Sequence, residues 1–382
     1  MTKYILLLLS FIVLSCNNKP KQVVKIKNNK DVIAQVIDSL AGKMVQDSLI
    51  NAASIAVFYN GKEYIQHYGE LEKGKGNTPT NKTIYEIGSL SKVLTGTLMA
   101  QAVLENKISL NDDITKYLND DYPNLSYENH PVKIKHVLTH TAGLPNMLPL
   151  EMNAIMGDFL NYETPANINT VLENYNQTKF FQDLHSIKID TIPGYKYAYS
   201  SAGTELSAHI LETVYKTNFE DLLKKFFSEK VGMTHTKINL NDSELSQLAV
   251  GYHVDNPIIT SPMGKLPWGA GGNIKTTVPD MMKFVQYQLK NDAIVQESHK
   301  SVFQYNDEFG LGYFWNIDKS NDTLGTQFTH HGGVPRSQCY MYIIPEHNMG
   351  AFIITNQSGM NTAPKMLAVL NPVFDELIQK SK

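Results

Sequence analysis

Arginine is almost absent from this chain of 382 residues, because only Arg336 among its 34 basic side chains is an arginine. Proteins that read nucleic acids rely on arginine forks to bind phosphate and guanine. The formal net charge is also small, −3 at pH 7, which is not the charge of a polyanion-binding protein. These two deficits argue against a nucleic-acid-binding function.

Cysteine is scarce as well, with only Cys16 and Cys339 in the chain. Residues 4–14 form an apolar run that is too short to span a membrane. This run leads into the letters VLSC, which resemble a bacterial lipobox, so residues 1–16 are predicted to be a lipoprotein signal peptide with Cys16 as the lipidated residue. A plain secretory signal with an incidental cysteine is the alternative. The prediction places the protein in the bacterial cell envelope, anchored to a membrane, with Cys339 as an inert buried thiol.

Several motifs of other enzyme classes are missing. No serine has glycine two residues away on both sides, so the nucleophile elbow of α/β-hydrolases is absent. His136 and His140 lie four residues apart, but without the glutamate of a zinc-protease motif. The glycines at positions 269, 271 and 272 are not followed by the Lys-Ser/Thr pair of a phosphate-binding loop. No metal and no cofactor is therefore expected.

The order of sequence patterns predicts an α/β (α+β) fold. Residues 17–30 are rich in asparagine and lysine and are predicted to be a flexible tether. A helical pattern over 31–49 is followed by a hairpin signal at Asn60 and Gly61. Helical patterns dominate the middle, and three strand-like runs (GLGYFWNI, QCYMYIIP, MGAFIITNQ) precede a last helix.

One domain over residues 31–382 is thus predicted, with an antiparallel sheet built from both ends of the chain and flanked by helices. Its α/β part comprises residues 31–88 and 266–382, and an inserted all-helical part comprises 89–265. A functional site is expected in the crevice between the two parts.

Ser89 and Lys92 form the tetrapeptide SLSK, which has two readings. On one helical face, a Ser and a Lys three residues apart lie within reach of each other. A neutral lysine with its pKa lowered by desolvation could then accept the serine proton. In the other reading Ser89 is a helix N-cap and Lys92 is a solvated side chain. The tetrapeptide alone does not decide, because a chain of this composition contains about two such matches by chance.

Four further segments resolve this ambiguity. They are KHVLTHTAGLP (135–145), PGYKYAYSSAG (193–203), GAGGNIKTTVPDMMKF (269–284) and THHGGVPRS (329–337). Together with SLSK, over residues 54–356, they resemble the serine β-lactamase and penicillin-binding protein superfamily. The resemblance is to its class C-like branch, which includes class C β-lactamases, D-Ala-D-Ala carboxypeptidases, D-aminopeptidases and family VIII esterases. It implies a β-lactamase/transpeptidase-like fold.

The resemblance also implies catalytic roles. Ser89 would be the acylated nucleophile and Lys92 its proton partner, while Tyr199 would be a second base and the acid for the leaving group. That base role needs a cationic Lys92 to hold down a phenol pKa that is ordinarily near 10. His330 would replace the lysine of the family's Lys-Thr-Gly strand, with His331 as the alternative register. Tyr199 could instead be only a wall of the cleft.

The implied oxyanion hole consists of the backbone N–H groups of Ser89 and Gly333, and the implied substrate-binding residues are Ser201, Gly332 and Arg336. Two positions depart from the family pattern. Ser201 stands where the family has asparagine, which weakens the case for recognising a β-lactam amide. Arg336 stands where a glycine is usual, and we predict that it binds a substrate carboxylate; the alternative is a surface arginine on a turn.

The resemblance predicts a lipid-anchored serine hydrolase that acts through an acyl-enzyme. Its substrate would be a small ester, a D-amino-acid peptide or a β-lactam, and its partners would be that substrate and the membrane. The competing reading is a non-catalytic envelope lipoprotein that binds peptidoglycan or peptide in the same cleft. The sequence does not indicate the oligomeric state.

Overall fold

The computed structural model describes residues 31–379, so the predicted signal peptide, tether and lipidation site Cys16 lie outside the described part. Its α-helices are α1 Val32–Met44, α2 Ser91–Leu104, α3 Ile134–Leu138, α4 Glu151–Gly157, α5 Thr164–Leu172, α6 Gln177–Ser186, α7 Ser201–Tyr215, α8 Phe219–Phe226, α9 Asp242–Leu245, α10 Val278–Gln288, α11 Ala293–Ser298 and α12 Thr362–Gln379. Its strands are β1 Ala52–Tyr59, β2 Lys62–Gly69, β3 Ile84–Glu86, β4 Ser126–Tyr127, β5 His130–Pro131, β6 Gly251–His253, β7 Ile259–Thr260, β8 Lys275–Thr277, β9 Phe303–Gln304, β10 Phe309–Gly312, β11 Trp315–Asp318, β12 Gln327–Val334, β13 Ser337–Ile344, β14 Met349–Thr355 and β15 Gln357–Ser358.

The main sheet has eight antiparallel strands in the order β2-β1-β14-β13-β12-β11-β10-β9. The first hairpin turns at Asn60 and Gly61, which both have positive φ and leave Tyr59 opposite Lys62. This conformation is the one that the asparagine-glycine signal favours. Since β14 pairs with both β1 and β13, the two ends of the chain form one sheet, and the predicted fold class is confirmed.

Helices cover both faces of the sheet. Side chains alternate along β1, so that Ile55 and Val57 pack with α1 and α12 on one face while Ala56 joins the core of α2 and α10 on the other. The second core is the larger and continues into the helical region. It therefore holds α2, which follows the predicted nucleophile, against the sheet.

The inserted region is not wholly helical, and this part of the prediction is wrong. Residues 89–265 contain α2 to α9 and also two short antiparallel pairs, β4 with β5 and β6 with β7. Pairs of two or three residues leave no period-2 pattern long enough to recognise in a sequence. Within residues 31–379, no helix combines the length and the apolar character needed to cross a membrane.

The run GLGYFWNI is two strands and not the single strand that was predicted. Tyr313 and Phe314 both have positive φ and form the tight turn between β10 and β11. Positive φ is uncommon for aromatic residues. Here Tyr313 is buried and its hydroxyl donates to Glu297 Oε1 at 2.7 Å, which stabilises the turn. The turn also brings the Phe314 carbonyl to the functional cleft.

Candidate active site

Strand β12 lies directly against the turn that carries Ser89. A Cβ atom on Gly88, which has φ +52°, would be 2.6 Å from the Gly333 carbonyl oxygen. A Cβ on Gly332 would be 2.1 Å from the Ile87 carbonyl oxygen and 2.6 Å from the Cys339 sulfur. Both glycines are thus required by the close approach of two backbones.

We expect Gly332→Ala to destabilise the fold, by at least about 2 kcal/mol, since overpacking a tight contact forces the backbone to move. Gly333→Ala is the matched control, because its Cβ would meet nothing closer than Gln338 Cγ at 3.4 Å. Denaturant unfolding of the two variants measures this difference. Equal stability of both variants would contradict the packing role assigned to Gly332.

Ser89 is part of a short 3₁₀ turn, Gly88–Leu90, immediately before α2. Its hydroxyl oxygen accepts a hydrogen bond from the Tyr199 hydroxyl at 2.7 Å and lies 3.1 Å from Lys92 Nζ. Neither the turn nor α2 has a side-chain N-cap, and Lys92 is fully buried. The reading of Ser89 as an N-cap beside a solvated lysine is therefore wrong.

Lys92 is enclosed by the core around α2. Its amine donates to the Gly271 carbonyl at 2.6 Å and lies 4.9 Å from the centre of the Tyr199 ring. Burial lowers the pKa of Lys92 to about 7, although the negative charge of Glu205 opposes the shift. An amine with this pKa is substantially neutral near pH 7 and can accept the Ser89 proton.

Tyr199 lies two residues before the start of α7, next to the N-cap Ser200, and is held beside Ser89. Burial raises the pKa of Tyr199 to about 12, with the Ser89 hydrogen bond acting in the opposite direction. The phenol thus keeps its proton at neutral pH, which differs from the lowered pKa that a base role for Tyr199 requires. The geometry favours Lys92 as the proton acceptor and Tyr199 as the proton donor.

Glu205 on α7 holds the loop that accepts the lysine amine, and sequence reasoning missed it. Its buried carboxylate accepts backbone hydrogen bonds from Trp268 at 2.6 Å, Gly269 at 3.1 Å and Gly271 at 2.6 Å. Burial raises the pKa of Glu205, and these three donors oppose the rise. The only signal in the sequence is that Glu205 follows Ser201 by one helical turn, so it lies on the same side of α7.

His330 is the histidine of β12 that lies closer to the nucleophile. It is buried, its Nδ1 is 2.9 Å from the Phe314 carbonyl, and its ring is near the main chain of Ser89. Burial lowers the pKa of His330 to about 3, so the side chain is neutral and does not replace the charge of a lysine. His331 also lines the cleft, with its ring 5.6 Å from that of Tyr340.

His140 is a second cleft residue that sequence reasoning did not assign to the site. Its ring centre is 4.5 Å from that of Tyr199, and its Nδ1 accepts the Ser200 amide at 3.1 Å. The His140 carbonyl also accepts the Ala198 amide at 2.7 Å. These contacts on both sides of Tyr199 fix the phenol next to Ser89.

Of the predicted binding residues, Ser201 and Gly333 face the cleft and Gly332 does not. Ser201 Oγ lies 3.4 Å from Asn146 Oδ1, and Ser201 lines the cleft next to Gly271. Gly333 lines the cleft on both sides of Ser89, as an oxyanion-hole residue must. Gly332 is packed against Ile87 instead, so its predicted contact with substrate is wrong.

Arg336 does not reach the cleft, and the prediction that it binds a substrate carboxylate is wrong. Its guanidinium is buried, with Nε 3.4 Å from Glu86 Oε2 and one terminal nitrogen donating to the Ala249 carbonyl. Burial raises the pKa of Glu86, while the cations Arg336 and Lys275 oppose the rise. The arginine is therefore a structural partner of a buried carboxylate. Its partner is 250 residues earlier in the chain, which the sequence could not reveal.

We expect Arg336→Ala to lower the free energy of unfolding by about 3 kcal/mol, because the buried Glu86 carboxylate then keeps only Lys275, at 3.9 Å, as a cationic partner. The double variant Arg336→Ala/Glu86→Gln should recover part of that loss. Urea unfolding measures both effects. A fully stable Arg336→Ala protein would show that the pair contributes nothing.

The cleft around Ser89 has two adjoining recesses. The aromatic recess is lined by Tyr197, Tyr199, Phe159, Phe314, Asn316, Gln338 and the histidines 140, 330 and 331. The methionine recess is lined by Met147, Met263, Ile168, Leu266, Val334, Pro335, Ser201 and the glycines 271 and 272. Ser89, Met156 and Gly333 belong to both. Across residues 31–379, no three His, Cys, Asp or Glu side chains are grouped so as to hold a metal ion.

Comparison with known proteins identifies the family. The family model described as Beta-lactamase matches residues 37–371, which is most of the chain. The chain belongs to the beta-lactamase family.

Curated relatives of this beta-lactamase-family protein are distant. Protein flp of Staphylococcus aureus strain MRSA252 is 25% identical over 351 residues, which cover 88% of this chain and 65% of that protein. This chain thus spans slightly less than two thirds of that relative. A beta-lactamase of Yersinia enterocolitica is 25% identical over 369 residues, covering 86% of this chain and 88% of the relative.

Solved structures share the fold. A class C beta-lactamase superposes with a TM-score of 0.76 at 22% identity, covering 91% of this chain and 98% of that one. The beta-lactamase/D-alanine carboxypeptidase from Yersinia pestis, complexed with citrate, gives a TM-score of 0.75 at 21% identity, covering 91% and 99%. The β-lactamase/transpeptidase-like architecture predicted from the sequence is confirmed.

Proposed function

We propose that this protein is a serine hydrolase that acylates Ser89 and then hydrolyses the acyl-enzyme. The observation that carries the proposal is the contact of Ser89 Oγ with both a buried amine and a phenol, at 3.1 Å and 2.7 Å. A neutral lysine and a protonated tyrosine on one hydroxyl supply a base and an acid without a cofactor. Substrates of the family, namely small esters, D-amino-acid peptides and β-lactams, are the candidates.

In the acylation step, Ser89 Oγ bonds to the carbonyl carbon of the substrate while its proton passes to neutral Lys92. The oxyanion lies between the backbone N–H groups of Ser89 and Gly333. When the tetrahedral adduct collapses, the bond to the leaving group breaks and that group takes the Tyr199 proton. Lys92 returns its extra proton to Tyr199, so both side chains regain their starting states.

In the second step, a water molecule attacks the acyl carbon and gives its proton to Lys92. The bond between that carbon and Ser89 Oγ breaks, the serine oxygen takes that proton back from Lys92, and a carboxylic acid leaves. His330 is neutral and buried beside Ser89, so we assign it a hydrogen-bonding role in placing the substrate. Loss of one oxyanion donor typically lowers the rate by about 10²–10³-fold.

The competing proposal, a non-catalytic protein that binds peptidoglycan or peptide, lacks an observation of its own. Such a protein gains nothing from desolvating Lys92, because burying an amine destabilises the fold. The cost of that burial is understandable if the neutral amine is used in catalysis.

Labelling tests the proposal. Native protein, Ser89→Ala and the exposed control Ser261→Ala are each treated with a fluorescent penicillin and with a fluorophosphonate. We expect at least one reagent to label the native protein and Ser261→Ala, and neither to label Ser89→Ala. Absence of label on native protein, or equal label on Ser89→Ala, would overturn the catalytic proposal.

We also propose that Cys16 carries a lipid that anchors the domain in the bacterial cell envelope. The support is the lipobox-like sequence VLSC at the end of a short apolar run. Metabolic labelling with a fatty acid tests this: the native chain should incorporate it and Cys16→Ala should not.

A further inference from the structure

The cleft around Ser89 carries no permanent charge. Among the described residues that line its two recesses, none is an aspartate, glutamate, lysine or arginine. Arg336 is paired with Glu86, and Lys92, the proposed base, is fully buried beside Ser89 and lines neither recess. Recognition of a carboxylate ordinarily uses such a cation.

The three cleft histidines do not supply that cation either. His140 and His330 are buried, and His331 is only partly exposed. Burial lowers the pKa of all three below the usual value for histidine, so they are neutral at physiological pH. An ionised group on the substrate would therefore lose its hydration without gaining an opposite charge.

The position of Tyr199 indicates which recess binds the leaving group of the substrate and which binds its acyl group. Its hydroxyl is the proton donor for the leaving group, so the leaving group must lie on the Tyr199 side, in the aromatic recess. The acyl group then extends the other way from Ser89, into the methionine recess. Side chains of Met147, Met156 and Met263 are apolar and adaptable, which suits aliphatic chains of differing shape.

We infer that the substrate is an uncharged ester or amide whose acyl group is aliphatic and occupies the methionine recess. This inference rests on the proposed acyl-enzyme function and narrows it. It disfavours D-amino-acid peptides and β-lactams whose carboxylate lies next to the scissile bond. An ester with a neutral alcohol or phenol as its leaving group fits both recesses.

A matched pair of substrates tests the inference. The p-nitrophenyl ester of butanoic acid and the p-nitrophenyl half-ester of succinic acid share the leaving group and a four-carbon acyl chain, and differ by the terminal charge. We expect native protein to hydrolyse the butanoate with a kcat/KM at least about 100-fold higher, since an unpaired carboxylate is costly to desolvate. Rates with Ser89→Ala serve as blanks, because half-esters of this kind also hydrolyse spontaneously.

A charge placed at the junction of the recesses should reduce this preference. Met156 lies on α4, is partly exposed and lines both recesses. We expect Met156→Lys to lower the ratio of kcat/KM for the butanoate ester to kcat/KM for the succinate half-ester at least about tenfold. Met360→Lys is the control, because Met360 is 73% exposed and outside the cleft. If Met156→Lys does not fold, the ratio measured with native protein still decides.

The outcomes separate the two proposals. Turnover that depends on Ser89 but shows equal or faster hydrolysis of the succinate half-ester would overturn the inference and leave the acyl-enzyme function intact. Absence of any Ser89-dependent turnover, of either ester or of an amide-capped or free-acid D-alanyl peptide, would overturn the proposed function itself.

Discussion

Replacing Lys92 with methionine is expected to lower kcat about 10³-fold or more while changing KM little. Methionine is similar in length to lysine but has no lone pair that accepts the Ser89 proton. The buried amine contacts Ser89 at 3.1 Å, and a positioned base typically contributes 10²–10⁴-fold. Steady-state kinetics with an ester substrate measure the effect. Lys82→Met, at an exposed lysine, is the control and should leave both constants unchanged.

The pH dependence of the native protein belongs to the same prediction. Lys92 must be neutral to act as the base, and its pKa is lowered to about 7. The value of kcat/KM should therefore fall tenfold per pH unit below that pKa and level off above it. A profile that is flat from pH 5 to pH 9 would contradict the assignment, as would a Lys92→Met protein with native activity.

Tyr199→Phe is expected to lower kcat/KM about 10²–10³-fold for a substrate with an alkoxide or amine leaving group. The variant removes only the oxygen that contacts Ser89 at 2.7 Å and leaves the ring between its neighbours. The loss should be smaller for a p-nitrophenyl ester, since that leaving group needs no proton to depart. This dependence on the leaving group distinguishes a proton donor from a wall of the cleft.

Tyr197→Phe is the matched control for that experiment. Tyr197 lines the same recess, but no hydrogen bond joins its hydroxyl to Ser89. We expect it to retain activity within a few-fold on both kinds of ester. Tyr199 is not the acid if Tyr199→Phe and Tyr197→Phe retain the same kcat/KM. The same conclusion follows if Tyr199→Phe lowers kcat/KM by the same factor for both leaving groups.

The linear sequence was sufficient for the features that depend on neighbouring residues. Ser89 and Lys92 are three residues apart, and the apolar stretch after them predicts the buried helix α2. Asn60 and Gly61 predict their hairpin in the same way. Local spacing and turn chemistry carry this information without knowledge of the tertiary structure.

Contacts between segments that are distant in the chain could not be predicted from the sequence. Arg336 was predicted to bind a substrate because nothing in the sequence relates it to Glu86, which lies on another element. Only the folded structure shows that the two side chains are buried together. Glu205 and His140 were overlooked for a similar reason, since one holds the Gly271 loop and the other packs on Tyr199. Gly332 and Gly333 are adjacent, yet only their packing shows which one faces the cleft.

The central claim is that Ser89 becomes covalently acylated with neutral Lys92 as its base. Rapid quenching of native protein with an ester substrate, followed by mass mapping of the peptides, tests it most directly. We predict the acyl mass on Ser89 alone, formed at a rate that rises with pH up to a plateau near neutrality. Turnover without a covalent species, or an acyl group on a different residue, would contradict it.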